Sequence, residues 1–251
     1  MFTKQYWNER ALKHGHTGHS EPFYYCFDQE ARRFAIGEII SSLPFQQKEN
    51  ALDFGCGSGD FIGLLLQDFK TVSGYDFSES VLRLAKQRHT SHAAVFLSHH
   101  FNDIENKGPY DLILSVTVLQ YLNKQQLEKT LGALYANLNK TGYLVSLDTF
   151  STPEINNEHG TDKATVQEWE HAVKTCGFTT TAAFHFYNPV LFPSRSWKMY
   201  NDNLFLKCLR PFKRLKAVQA IFSNKARQII YSQKDILHDQ NSIFKIYILQ
   251  K

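Results

Sequence analysis

The stretch LDFGCGSGDF (Leu52–Phe61) constrains this chain more than any other. A short apolar strand, NALDF, runs into it, and a helical pattern, GDFIGLLLQDF, leaves it. Gly55, Gly57 and Gly59 fall between the two. Glycines there allow the positive φ angles of a tight strand-to-helix turn and let a ligand approach the backbone closely. A GxGxG turn by itself is equally well a plain glycine-rich connection, so its meaning depends on what surrounds it.

The surroundings alternate strand and helix. After the glycines TVSGYD reads as a strand, SESVLRLAKQRH as a helix, AAVFLSH as a strand and YDLILSVTV as another. KQQLEKTLGALYANL is then a helix, GYLVSLDTF a fifth strand, TVQEWEHAVKTCGF a helix closed by Gly177, and TTTAAFHFY a sixth strand. The alternation stops after Pro189 and resumes with IFKIYILQK, a last strand. This order predicts an α/β fold with a doubly wound, mostly parallel seven-stranded sheet. We expect a single domain: an N-terminal helical cap (1–48), a core (49–187), a helical insertion (188–241) and the final strand (242–251). In the cap, helices are expected near 4–14 and 28–43, with Asp28 as the N-cap of the second.

Acidic residues stand where such a sheet binds ligands, beyond the carboxyl ends of its strands. Asp76 ends the second strand, placed to accept hydrogen bonds from ribose hydroxyls, although it is also suited to capping the helix SESV. Asp103 follows the third strand, where it also fits a turn. As a set, these features resemble the class I S-adenosylmethionine-dependent methyltransferases, over about residues 48–150. LDFGCGSGDF resembles the acid-x-Gly-x-Gly-x-Gly signature of that family. Asp60, at the helix start, would repel a pyrophosphate, and S-adenosylmethionine has none.

The resemblance implies roles position by position. Gly55, Cys56, Gly57 and Gly59 would line the methionine portion, with Asp53 near its ammonium group. Asp76 would hold the ribose, Phe77 would pack beside the adenine, Asp103 would contact its amino group and Ile104 its face. Ser115 and Val116 would pass close to the sulfonium. Tyr6 and Trp7, in YWNERA, resemble the N-terminal helix that closes over the cofactor, and ordinary helix packing accounts for them equally well. VLQYL resembles the family segment VLHHL, but Gln120 and Tyr121 replace its histidines, so no histidine role carries over. The cofactor implied is S-adenosylmethionine and the product S-adenosylhomocysteine.

The acceptor is less constrained, because the fold is shared by many of them. The Asn-Pro-Pro-aromatic segment of adenine-amino and glutamine methyltransferases is absent after the fourth strand, since Asn188-Pro189 follows the sixth. The Pro-Cys pair of the cytosine carbon-methylating type and the double-Glu hairpin of the arginine type are absent too. This leaves a small-molecule acceptor, anionic or carrier-bound, methylated on oxygen, nitrogen or carbon. Its pocket is expected from the cap, from TFSTPEINNEHGTD after the fifth strand and from the 188–241 insertion. The alternative is a macromolecular substrate, RNA or protein, docked on that insertion.

The insertion is basic. Arg195–Ile230 holds nine Lys and Arg against one acid, Asp202, in a chain of formal charge +4. An anionic partner or anionic membrane face would suit this stretch, and so would lid helices with a solvated basic side. No appended RNA-binding module is recognisable, so nucleic acid is not the expected partner. No apolar run reaches the ~20 residues of a membrane span, and the four cysteines lack paired spacing, which suits a cytoplasmic enzyme.

HGHTGH places His14, His16 and His19 just after the YWNERA helix. Two glycines loosen the segment and methyl transfer needs no metal, so no metal site is expected. His16 or His19 as general base and a plain polar loop stay open as readings, with Asp148 and His185 as rival bases.

Overall fold

A computed structural model of the protein describes residues 3–90, 92–150, 163–186, 194–237 and 244–251. Most of TFSTPEINNEHGTD, and Asn188-Pro189, therefore lie outside the described residues. In chain order the elements are α1 (Lys4–His14), α2 (Pro22–Ser42), β1 (Asn50–Phe54), α3 (Ile62–Leu65), β2 (Thr71–Tyr75) and α4 (Glu79–His89). Next come β3 (Val95–Ser98), α5 (Phe101–Glu105), β4 (Tyr110–Val116), a 3-10 turn (Leu119–Tyr121), α6 (Lys124–Ala136) and β5 (Leu138–Asp148). The chain continues through α7 (Val166–Thr175), β6 (Thr179–His185), α8 (Arg195–Asn201), α9 (Leu204–Leu209), a second 3-10 turn (Arg210–Phe212), α10 (Lys216–Gln233) and β7 (Lys245–Gln250).

Two compact units result. One comprises residues 1–17, 44–183 and 245–251, the other 18–43 and 184–244. The first unit carries the sheet, in strand order β3-β2-β1-β4-β5-β7-β6. β1 pairs parallel with β2 and β4, as do β2 with β3 and β4 with β5, whereas β7 runs antiparallel to β5. The seven-stranded, mostly parallel α/β sheet expected from the alternation is the one observed.

Its helices follow from spacing and caps. In α6 the buried positions Leu127, Leu131 and Leu134 recur at helical intervals and join Leu52, Ile113, Leu144 and Trp169 in one core. Fully burying each leucine contributes roughly 1.5–3 kcal/mol. Asn123 with Gln126, and Thr165 with Glu168, form reciprocal capping boxes that fix where α6 and α7 begin. At the amino end of β4, buried Asp111 accepts from the Glu49 and Asn50 backbone N–H groups at 2.8 and 3.1 Å and from Gln47 Nε2 at 3.0 Å.

Two expected helices differ. The second cap helix begins at Pro22, not at Asp28, because Glu21 caps it (Tyr24 N–H to Glu21 Oε2, 2.9 Å) and proline at the first position lacks only an N–H the helix leaves unbonded anyway. Asp28 lies inside that helix, paired with Arg32 at 2.8 Å. After the glycines, GDFIGLLLQDF forms a helix only over Ile62–Leu65, flanked by turns.

The second unit has an aromatic core. Phe23 stacks on Tyr200 at 4.4 Å and meets Phe222 edge-on at 5.0 Å, and Phe27 meets Trp197 at 5.1 Å. Buried Glu30 joins α2 to α10 by accepting twice from the Arg227 guanidinium, at 2.9 and 3.2 Å. Among the described residues, no helix is long and apolar enough to cross a membrane.

Candidate active site

The carboxyl ends of β1, β2 and β4 carry most of the cofactor residues singled out from sequence. After β1 the Gly55 and Cys56 N–H groups both donate to the Tyr75 carbonyl, at 2.7 and 2.8 Å, tying the glycine turn to the end of β2. Gly55, Gly57 and Gly59 have φ of +75°, +53° and +77°. A Cβ on Gly55 would stand 2.3 Å from Val118 Cγ2, and one on Gly57 2.8 Å from Thr17 Oγ1. Conformation and space therefore both demand glycine. Cys56 is buried, its Sγ packed at Gly74, and burial pushes its thiol pKa up.

Asp53 is almost wholly buried, and its Oδ2 has no hydrogen-bond partner. Burial raises its pKa to about 8, with the charges of Asp60 and Asp76 adding to the effect. A buried unbonded acceptor costs about 1–3 kcal/mol, a cost that a cationic donor would offset. Asp76 accepts from Gly57 N–H at 3.1 Å and Ser78 N–H at 2.9 Å. Burial lifts its pKa to about 6 against the pull of those two donors. Phe77, next in the chain, keeps 43% of its surface exposed.

The remaining positions divide. Asp103 is exposed in the first turn of α5 and accepts from Ser98 Oγ at 2.6 Å. Ile104, expected against an adenine face, is instead fully buried in the core with Leu52 and Phe54, so it has no surface to offer a ligand. Ser115 is fully buried between Phe54 and Ser146 in the sheet, its Oγ without a partner, and Val116 is nearly so. Asp60 pairs with Arg88 and accepts from Ser58 Oγ at 3.0 Å. Its charge is thus partly neutralised, and it precedes a four-residue helix, which weakens the case that it repels a phosphate.

Sequence reasoning missed Thr117. This β-branched residue has φ +54° at the end of β4, where its N–H donates to the Leu147 carbonyl at 2.7 Å. Such a backbone costs on the order of 1–3 kcal/mol and concentrates at functional sites. It turns Val118 toward Gly55, and nothing in SVTVL signals it.

Above the turn lies α1. Trp7 meets Tyr121 edge-on at 5.4 Å and Tyr6 at 5.0 Å, and Asn8 accepts from the Ser78 hydroxyl. Arg10 Nε donates to the Thr17 carbonyl at 2.9 Å, drawing the end of the HGHT segment back onto α1. Thr17 there closes over Gly57, and His16 is partly buried, its pKa lowered to about 4 chiefly by desolvation against the opposing charge of Asp60. His19 belongs to the second unit. It is exposed, accepts from Glu21 N–H at 3.2 Å and stacks on Tyr24 at 5.3 Å, a role at the start of α2.

Of the rival bases, Asp148 is fully buried and structural: it accepts from Gln120 N–H at 3.1 Å and from the Ser146 hydroxyl. Gln120 in turn accepts from Thr149 N–H at 2.8 Å, so the residue replacing the first of the two histidines ties this turn to the end of β5. His185 is partly exposed at the end of β6.

Comparison with known proteins agrees with this geometry. Residues 51–142 match the family model described as a methyltransferase domain. The chain is 28% identical over 179 residues to a trans-aconitate 2-methyltransferase of Deinococcus radiodurans, covering 69% of this chain and 64% of that one. It is 26% identical over 127 residues to a malonyl-[acyl-carrier protein] O-methyltransferase of Bacillus anthracis, covering 48% and 46%. It thus spans less than two thirds of the length of these curated relatives. A mycolic acid cyclopropane synthase solved with S-adenosylhomocysteine shares the fold at TM-score 0.57 and 14% identity, over 89% of this chain and 85% of that one. The strand order, the glycine turn and the matched segment agree in giving residues 51–142 as a methyltransferase domain.

Proposed function

We propose that the chain transfers the methyl group of S-adenosylmethionine to an oxygen, nitrogen or carbon of a small acceptor, free or carrier-bound. The observation that carries this reading is Asp53, a buried carboxyl with an unbonded oxygen beside three glycines whose positive φ angles disfavour any side chain. Such a group fits the ammonium of an amino acid, and Asp76 beside it fits a ribose diol. When bound, the cofactor supplies an electrophilic methyl on sulfur that is displaced in line, so positioning provides much of the rate.

The chain's own groups would then act as follows. Gly55, Cys56, Gly57 and Gly59 present backbone to the methionine portion, Phe77 and Asp103 face the adenine, and the backbone of Ser115 and Val116 borders the sulfur. Tyr6 and Trp7 cover the site and exclude water. His16, neutral at neutral pH because burial holds its pKa near 4, is able to accept a hydrogen bond or a proton from the acceptor. The names of the two relatives specify trans-aconitate and a malonyl group, both carboxylate compounds, and this supports an anionic acceptor.

The test is calorimetric titration of S-adenosylmethionine and S-adenosylhomocysteine into the protein and its Asp53→Asn variant. Binding by the parent and at least ~10-fold weaker binding by the variant are expected. Absence of binding by the parent would sink the reading, and equal affinities would remove Asp53 from the site.

A further inference from the structure

The second unit displays an arrangement that includes none of the residues assigned above to cofactor binding. Leu204, Phe205, Phe212 and Leu215 are 76%, 60%, 56% and 57% exposed, four large apolar side chains within twelve residues. Scattered exposed apolar residues are ordinary, but a concentration of them marks an interaction surface. These four lie on α9, on the 3-10 turn after it and at the N-cap of α10.

Charge is concentrated in the same place. From Asn203 to Lys234 there is no acidic residue, while Lys207, Arg210, Lys213, Arg214 and Lys216 interleave with the apolar side chains. Some of that charge is answered from outside the stretch: Lys207 pairs with Asp202 at 3.2 Å and Lys213 with Glu21 at 2.8 Å. Arg210 is committed inward, over the Phe23 ring at 4.0 Å and bonded to Asn201 Oδ1 at 2.6 Å. Arg214 and Lys216 stand exposed beside Phe212 and Leu215. Next to Phe205 a groove of about 430 Å³ is lined by Asn203, Phe205, Ile221, Asn224, Lys225 and Gln228. It combines one ammonium and several amides with two apolar walls.

We propose that Leu204–Lys216 is a docking surface for an anionic lipid bilayer. A bilayer interface is the partner that uses both halves of the pattern at once. The apolar side chains enter the acyl boundary while Lys and Arg remain at the phosphate level. Nucleic acid would use the cations and leave the leucines and phenylalanines in water. The Lys225 groove has the composition to receive a lipid phosphate under its headgroup. Docking of this kind holds the protein reversibly, through a short helix and a turn, with no membrane-spanning element involved.

The test is co-sedimentation of the full chain with vesicles of phosphatidylcholine containing about one third phosphatidylglycerol, and with phosphatidylcholine alone. Binding is expected to the anionic vesicles and to be weakened by salt. The variant R214Q/K216Q is expected to bind about thirtyfold more weakly, and F212S/L215S at least ~10-fold more weakly. All four positions are exposed, so both variants should keep the parent melting temperature and S-adenosylmethionine affinity, which separates this outcome from any failure of the methyltransferase reading. Absence of vesicle binding, or equal binding to neutral vesicles, would overturn the proposal. So would a parent protein that self-associates through this face, shown by light scattering to become monomeric only in F212S/L215S.

Discussion

The Gly57 N–H donates to Asp76 Oδ2 at 3.1 Å, so the turn after β1 is held by the residue that ends β2. Asp76→Ala removes that tie together with the proposed acceptor for a ribose. We expect S-adenosylmethionine affinity to fall by at least ~10-fold in calorimetry, while circular dichroism shows the fold retained.

Gly55→Ala tests the turn itself. The added methyl meets Val118 Cγ2 at 2.3 Å, and the backbone stays at φ +75°. A loss of about 2–4 kcal/mol is expected in urea unfolding. Adding Val118→Ala should restore part of it, because that change relieves the collision and leaves the backbone strain. Full recovery in the double variant would show that φ matters little here.

The role proposed for Asp53 makes cofactor binding pH-dependent. With its pKa raised to about 8, Asp53 holds a proton at pH 7 in the protein alone. An ammonium placed beside it favours the ionised form, so binding releases a proton and affinity rises with pH until about 8. Titrations at pH 7 in phosphate and in Tris should differ in apparent enthalpy by the difference in buffer ionisation heats. Identical enthalpies would contradict the assignment.

His16 acts on stability in the acid range. Its folded pKa, about 4, lies below the ordinary 6.5, so between these values the unfolded chain binds more protons. Stability is therefore full above pH 6.5 and declines as pH falls toward 4. His16→Gln should flatten that part of the curve. Separately, loss of turnover in His16→Gln with unchanged cofactor affinity would mark a role toward the acceptor.

Asp111 serves the opposite end of the sheet. Asp111→Ala abandons four donors, the backbone N–H groups of Glu49 and Asn50 and the side-chain amides of Gln47 and Asn139, and we expect a loss of about 2–4 kcal/mol with no change in cofactor affinity.

Much of this was legible from residue pattern. Periodicity placed the seven strands, and the spacing of Gly55, Gly57 and Gly59 marked a turn whose positive φ values are present. Local signals failed where another force decided. The start of α2 was hidden because Glu21, an uncommon cap, and Pro22 define it more than the apolar spacing from Asp28 onward. Ile104 was misassigned because a residue beside a ligand position and a core residue look alike in one dimension. Thr117 carries a strained backbone imposed by the β4–β5 register, which no local preference for threonine would suggest. The union of α2 with residues 184–244 rests on contacts far apart in sequence, such as Glu30 with Arg227.

That last pairing sets a schedule for the newborn chain. Arg227 follows Glu30 by 197 residues, so at roughly 5–20 residues per second α2 leaves the ribosome some 10–40 seconds before its partner helix exists. Phe23, Phe27 and Phe34 have no native cover from α8 or α10 during that interval, while the strands that follow are already emerging. The first helix-forming segment of the second unit is thus the one that waits longest, and chaperone capture during synthesis has its natural target there.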